Sequence, residues 1–131
     1  MTKSNLPSKR TVIIVEDDLL LAMINQKYIE DIGYSPVGTF TTGEDAIDAV
    51  RESQPDFLLM DILLEGELDG IDTVRKIREF SPVPVVFITG NSNVQIRERA
   101  GSVSRAKFLT KPIDMPLLRG ALEDLSATDS D

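Results

Sequence analysis

The chain has 131 residues, a formal net charge of −8, no cysteine and no histidine. Those absences exclude disulfides, thiolate chemistry, imidazole bases and His- or Cys-ligated metals, so any metal must be a hard cation held by oxygen. The acidic balance speaks against a nucleic-acid-binding surface, and no apolar run reaches membrane-spanning length.

In chain order, residues 1–10 read as a polar tail. Thr11 to Val15 is a β-branched run of strand length that ends at Glu16-Asp17-Asp18. Leu19 to Ile32 reads as a helix, with Leu20, Ile24, Tyr28 and Ile32 at helical spacing and Gly33 as its stop. Pro36 to Phe40 is a short strand whose leading proline suits a sheet edge. Thr41-Thr42-Gly43-Glu44 is a capping-box pattern, opening a helix with Ala46, Ile47 and Val50 inward.

Phe57 to Met60 is an apolar run that leads directly into Asp61, as a buried parallel strand does. A loop from Ile62 to Asp69 follows, then a helix from Gly70 to Phe80 with Ile71, Val74 and Ile77 on one face. Pro84 to Ile88 is a fourth buried run ending at Thr89-Gly90, and Ser92-Asn93-Val94-Gln95 opens a short polar helix. Arg105 to Leu109 is a fifth strand ending at Thr110-Lys111-Pro112. Asp114 caps a last helix with Leu117, Leu118, Ala121, Leu122 and Leu125 inward, and residues 126–131 read as a second tail.

Five strands alternating with five helices imply a doubly wound parallel sheet with helices on both faces, in the flavodoxin-like order 2-1-3-4-5. A single domain over residues 11–125 is expected. Parallel strands bring the strand-end residues Glu16-Asp17-Asp18, Asp61, Thr89 and Lys111 to one edge of the sheet. Carboxylates crowded there without histidine call for a cation, and Mg²⁺ suits such a donor set. Asp18 is equally suited to simple capping of the helix that follows.

This constellation resembles the receiver domain of two-component response regulators. The matching elements are Glu16-Asp17, Asp61, Asp69-Gly70, Thr89-Gly90 and Lys111-Pro112, in that order. The resemblance implies that Asp61 is the phosphoacceptor. It also implies that Glu16, Asp17, Asp61 and the backbone carbonyl of Leu63 hold Mg²⁺, and that Lys111 pairs with the phosphoryl group. Thr89 would be the switch hydroxyl and Phe108 the switch aromatic. Two departures stand out. The loop after Asp61 carries Glu65-Gly66-Glu67-Leu68 without the usual proline, and Phe87-Ile88-Thr89-Gly90 is similar to the signature of a subgroup of stand-alone receivers.

The implied function is that of a cytoplasmic single-domain response regulator without enzymatic output, charged by a histidine kinase or histidine phosphotransfer protein. The alternatives are a piece of a longer regulator or hybrid kinase, a phosphate sink, and an Asp-nucleophile phosphatase. The last usually has a second Asp two residues after the nucleophile, where Leu63 stands here. Residues 91–119 carry six basic and two acidic groups, which points to a partner or dimer surface over Arg97 to Arg119. The resemblance also implies that Leu63 and Asn91 border the water approach to Asp61; Asn91 can bond a water and Leu63 obstructs one, and obstruction is expected to win and give a long-lived acyl phosphate.

Overall fold

In the computed structural model, residues 9–91 and 93–129 are described. The elements alternate strictly: β1 (Thr11–Val15), α1 (Leu19–Ile32), β2 (Ser35–Phe40), α2 (Gly43–Ser53), β3 (Phe57–Asp61), α3 (Gly70–Ile77), β4 (Val85–Thr89), α4 (Val94–Gly101), β5 (Ala106–Thr110) and α5 (Met115–Asp129). The five strands form one parallel sheet in the order β2-β1-β3-β4-β5, the expected flavodoxin-like topology. β2 is an edge, as Pro36 implied, and its register slips by one between Val12 and Ile13.

The strands at the centre are apolar on both sides because both faces are covered. Alternate residues divide between two cores. Ile13, Val15, Leu58, Met60, Val85 and Phe87 pack with Ala46, Val50, Ile71, Val74 and Ile77 from α2 and α3. Val12, Ile14, Phe57, Leu59, Val86 and Ile88 pack with Ile29 and with Leu118, Ala121, Leu122 and Leu125 from α1 and α5. Period-two alternation in each strand thus assigns every side chain to one helical layer.

Four details depart from the sequence reading. Helix α1 is turned so that Ala22, Asn25 and Ile29 are buried, while Leu20 is 65% and Ile24 39% exposed. The segment Leu19 to Ile24 is apolar around most of the helix, so periodicity alone picks no face. Leu117 of α5 is likewise exposed. Helix α2 is capped by Thr42, whose hydroxyl accepts from the Asp45 N–H, one position later than the pattern implied. For α4 the cap is Asn93, accepting from the Ile96 N–H, while the expected Ser92 lies outside the described residues.

Both expected tails are shorter at their inner ends. Arg10 receives the Ser35 N–H on its carbonyl and reaches Ser126, and α5 continues to Asp129. Residues 1–8, 130 and 131 lie outside the described residues. Among the described residues no helix is long and apolar enough to cross a membrane.

Candidate phosphoacceptor site

The carboxyl edge of the sheet gathers the strand ends. Asp61 is the last residue of β3 and is 3% exposed. Glu16 follows β1 directly and is fully buried. Glu16, Asp17 and Asp61 each offer an oxygen within 4.8 Å of the others. Lys111, just beyond β5, places its Nζ 3.1 Å from Asp61 Oδ2 and 3.1 Å from Glu16 Oε1. The peptide bond from Lys111 to Pro112 is cis, and the Lys111 N–H donates to the Thr89 carbonyl. The loop carrying the ammonium is therefore tied to the end of β4.

The charges are unevenly matched. Three carboxylates face one ammonium. Burial, then the neighbouring Asp61, hold the Glu16 carboxyl above the usual carboxylate range. Burial pulls Lys111 down, but the carboxylates of Asp61 and Glu16 beside it outweigh that and leave the ammonium above its ordinary value. Glu16 Oε2 accepts the Asp18 N–H. Glu16 Oε1 lies at ion-pair distance from Lys111 yet accepts no hydrogen bond, and is a buried orphan. An orphaned carboxylate oxygen beside two further carboxylates is a donor set that fits a hard divalent cation.

Asp18 does not join this set. Its side chain accepts the N–H groups of Leu20 and Leu21 and caps α1. Leu63 donates its N–H to Asp61 Oδ1 and leaves its side chain half exposed. Thr89 is fully buried at the end of β4, and its hydroxyl exchanges hydrogen bonds with the backbone of Asn91, not with Asp61. The Asn91 side chain accepts the Asn93 N–H and so turns toward the loop before α4. Phe108 lies opposite Phe87 in β5, half-buried against the α2–α3 core and beside a cavity of 380 Å³ under α4.

Gly70 and Arg99 frame the site from behind. The Gly70 N–H donates to the Ile62 carbonyl at 2.7 Å, and a Cβ there would sit 2.2 Å from the Asp61 carbonyl oxygen. Only glycine lets α3 start this close to Asp61. Asp69, the α3 N-cap, accepts both the Asp72 N–H and a two-pronged contact from Arg99 of α4. Arg99 also reaches Asp72 at 3.1 Å. Burial alone would raise the Asp69 carboxyl, but Arg99 and the Asp72 N–H hold it below the ordinary aspartate value. Sequence reading identified Asp69-Gly70 but not Arg99, because a pair thirty residues apart leaves no local pattern.

The basic C-terminal segment is largely consumed internally. Arg99, Lys107 and Lys111 pair with Asp69 and Asp72, Asp124, and Asp61 and Glu16 respectively. Arg105 donates to the Pro82 carbonyl. Arg97 and Arg119 remain exposed.

Residues 12–123 match the family described as the response regulator receiver domain. The chain is 30% identical over 113 residues to the probable C4-dicarboxylate response regulator DctR of Halalkalibacterium halodurans, covering 85% of this chain and 49% of that protein. It is 31% identical over 114 residues to the transcriptional regulatory protein PdtaR of Mycobacterium tuberculosis, covering 87% of this chain and 55% of that protein. The chain thus spans about half the length of these two relatives. Among solved structures, the signal receiver domain of a modulated diguanylate cyclase from Desulfovibrio desulfuricans G20 superposes with a TM-score of 0.86 at 31% identity, covering 94% of this chain and 98% of that one. With the sheet order, the gathered carboxylates and the Lys111 contact, these matches lead to one conclusion: the chain belongs to the response regulator receiver family.

Proposed function

We propose that Asp61 accepts a phosphoryl group from a phosphohistidine on a histidine kinase or phosphotransfer protein. The observation that carries this reading is the Lys111 ammonium 3.1 Å from Asp61 Oδ2, beside a cluster of carboxylates with an orphaned oxygen. In the transfer, Asp61 attacks phosphorus, the P–N bond breaks, and the imidazole leaves and takes up a proton. Both reactants are anionic, so catalysis here is positioning plus charge neutralisation. Glu16, Asp17, Asp61 and the Leu63 carbonyl are the groups that would hold Mg²⁺, which when bound neutralises developing charge on the phosphoryl oxygens.

Lys111 then pairs with a phosphoryl oxygen in place of an Asp61 oxygen. A further oxygen draws the Thr89 hydroxyl out of its bonds with Asn91. Phe108 follows into the space so vacated and alters the α4–β5–α5 face, where a downstream protein or second copy binds. Leu63 borders the water approach, and Asn91 is engaged with Asn93. Neither orients an attacking water, which supports a long-lived adduct.

We further propose a cytoplasmic, non-enzymatic signalling role, as messenger or phosphate sink, with residues 11–125 as the functional unit. A stand-alone receiver is the simplest reading. The length of the relatives favours a second one, in which these residues are the receiver part of a longer regulator.

The test is incubation with acetyl phosphate and Mg²⁺ followed by intact mass. One phosphate adduct is expected, absent in Asp61→Asn and strongly reduced in Asp17→Asn, which also loses Mg²⁺-dependent thermal stabilisation. Adduct formation in Asp61→Asn would overturn the assignment. Decay of the adduct should be faster in Leu63→Asn than in wild type; equal decay would remove the role given to Leu63.

A further inference from the structure

A second cavity lies next to the phosphoacceptor site but opens on the α1 side of the sheet. Its volume is 340 Å³, at the small end of ligand pockets, which run from about 300 to 1,000 Å³. Leu21 and Ile24 of α1, Ile88 of β4, and Ile113 beyond the Lys111–Pro112 bond give it apolar walls. Apolar walls with a few convergent polar groups are the general signature of small-molecule sites.

The polar groups are what distinguish this cavity from a packing gap. Asn25 lines it from the inward face of α1 and is only 4% exposed. Among the described residues the Asn25 amide makes no hydrogen bond, yet neither of its polar atoms is sealed from the cavity. An amide set in an otherwise apolar wall gives the cavity a point of polar recognition. Glu16 and Lys111 border the same cavity, although Glu16 Oε1 is itself sealed and lies 3.1 Å from the Lys111 ammonium.

The needs of the Asn25 amide define the ligand. The Asn25 amide offers one acceptor and two donors. The head that answers it is a neutral group able to donate and accept at once. The walls ask for one or two rings' worth of apolar body. An anion would meet the surrounding carboxylates, and a bulky cation would compete with Lys111.

We propose that this cavity is a binding site for a small, uncharged amphiphile with an amide or hydroxyl head, recognised by Asn25. Because Glu16 and Lys111 are shared with the phosphoacceptor site, occupancy slows phosphorylation of Asp61. That coupling rests on the function proposed above; the binding does not.

The probes are benzamide, which carries the head, and toluene, which lacks it. Titration of isotope-labelled protein followed by NMR should shift the Asn25 side-chain amide and the methyls of Ile24, Ile88 and Ile113. Benzamide is expected to bind in the millimolar range usual for so small a ligand, about tenfold more tightly than toluene. Asn25→Leu, close in size and a good helix former, should abolish that preference while toluene binds as before. Ile24→Ala, at an exposed wall position, should weaken both probes. Shifts located elsewhere, equal binding of the two probes, or benzamide binding unchanged in Asn25→Leu would each overturn the site. In a separate arm, benzamide should slow phosphorylation by acetyl phosphate in wild type and not in Asn25→Leu. No adduct even without probe would overturn the proposed function and leave binding to be decided by NMR. A normal rate with the cavity saturated would overturn the coupling.

Discussion

Helices α1 and α4 flank the same site and are held in opposite ways. Helix α1 has fourteen residues and is anchored by Ile29 in the core, while Leu19, Leu20 and Met23 stand about two-thirds exposed. Helix α4 has eight residues, of which only Ala100 is buried. Its firmest tie is the fork from Arg99 to Asp69 and Asp72 of α3. Apolar burial offers no charge for salt to screen or acid to titrate, whereas a partly exposed ion pair is sensitive to both. One flank of the site is therefore fixed by packing, and the other is held by charges that solution conditions can loosen.

Truncating the anchor of α1 should have the largest effect. Ile29→Ala removes a fully buried side chain from the core shared with α5. A loss of about 2–5 kcal/mol is expected, read as a lower midpoint in urea unfolding. A loss below about 1 kcal/mol would mean that α1 is not held by packing, and the contrast with α4 would fail.

Breaking the tie of α4 should cost less overall and act locally. Arg99→Gln is expected to lower global stability by no more than about 1 kcal/mol, because the pair is more than a third exposed on the arginine side. Amide exchange in α4 should nevertheless rise several-fold and approach that of wild type in high salt. The pH dependence has a definite sign. Asp69 is held below the ordinary aspartate value of 3.8. Its contribution is fully present above that value and is lost as pH falls through the lowered value. Wild type should therefore lose stability more steeply than Arg99→Gln below pH 3.8. Parallel acid curves would show that Arg99 does not set the Asp69 titration.

What the sequence made legible follows the same division. The sheet order and the gathering of Glu16, Asp17, Asp61 and Lys111 were readable because parallel strands end on one edge, whatever the side-chain details. Helices α2 and α3 were readable because Ala46, Val50, Ile71, Val74 and Ile77 stand among polar residues and leave one choice of face. Helix α1 was not, because Leu19 to Ile24 offers apolar residues on all sides and the inward face includes a buried asparagine. The caps of α2 and α4 were misplaced by one because Thr41-Thr42 and Ser92-Asn93 each present two residues able to cap. The pairing of Arg99 and Lys107 with Asp69, Asp72 and Asp124 was not readable in the basic segment, since it exists only in three dimensions.

The smallest effect on stability should come from the exposed face of α1, and it sharpens the comparison most. Leu20 and Met23 are 65% and 67% exposed, so replacing both by serine removes little buried area. Unfolding free energy should change by less than about 0.5 kcal/mol. Three large apolar side chains on one short segment, beside the opening to Asp61, form the kind of patch that usually marks an interaction site. Under the proposed function, a macromolecular phosphodonor would bring its phosphohistidine to Asp61 and cover this face, whereas acetyl phosphate would not. Leu20→Ser with Met23→Ser should accordingly slow transfer from a phosphorylated histidine phosphotransfer protein by tenfold or so while leaving the acetyl phosphate rate unchanged. If both donors slow together, the substitutions have disturbed the site itself. If neither slows, the donor docks on the α4 side, and the exposed leucines belong to another contact.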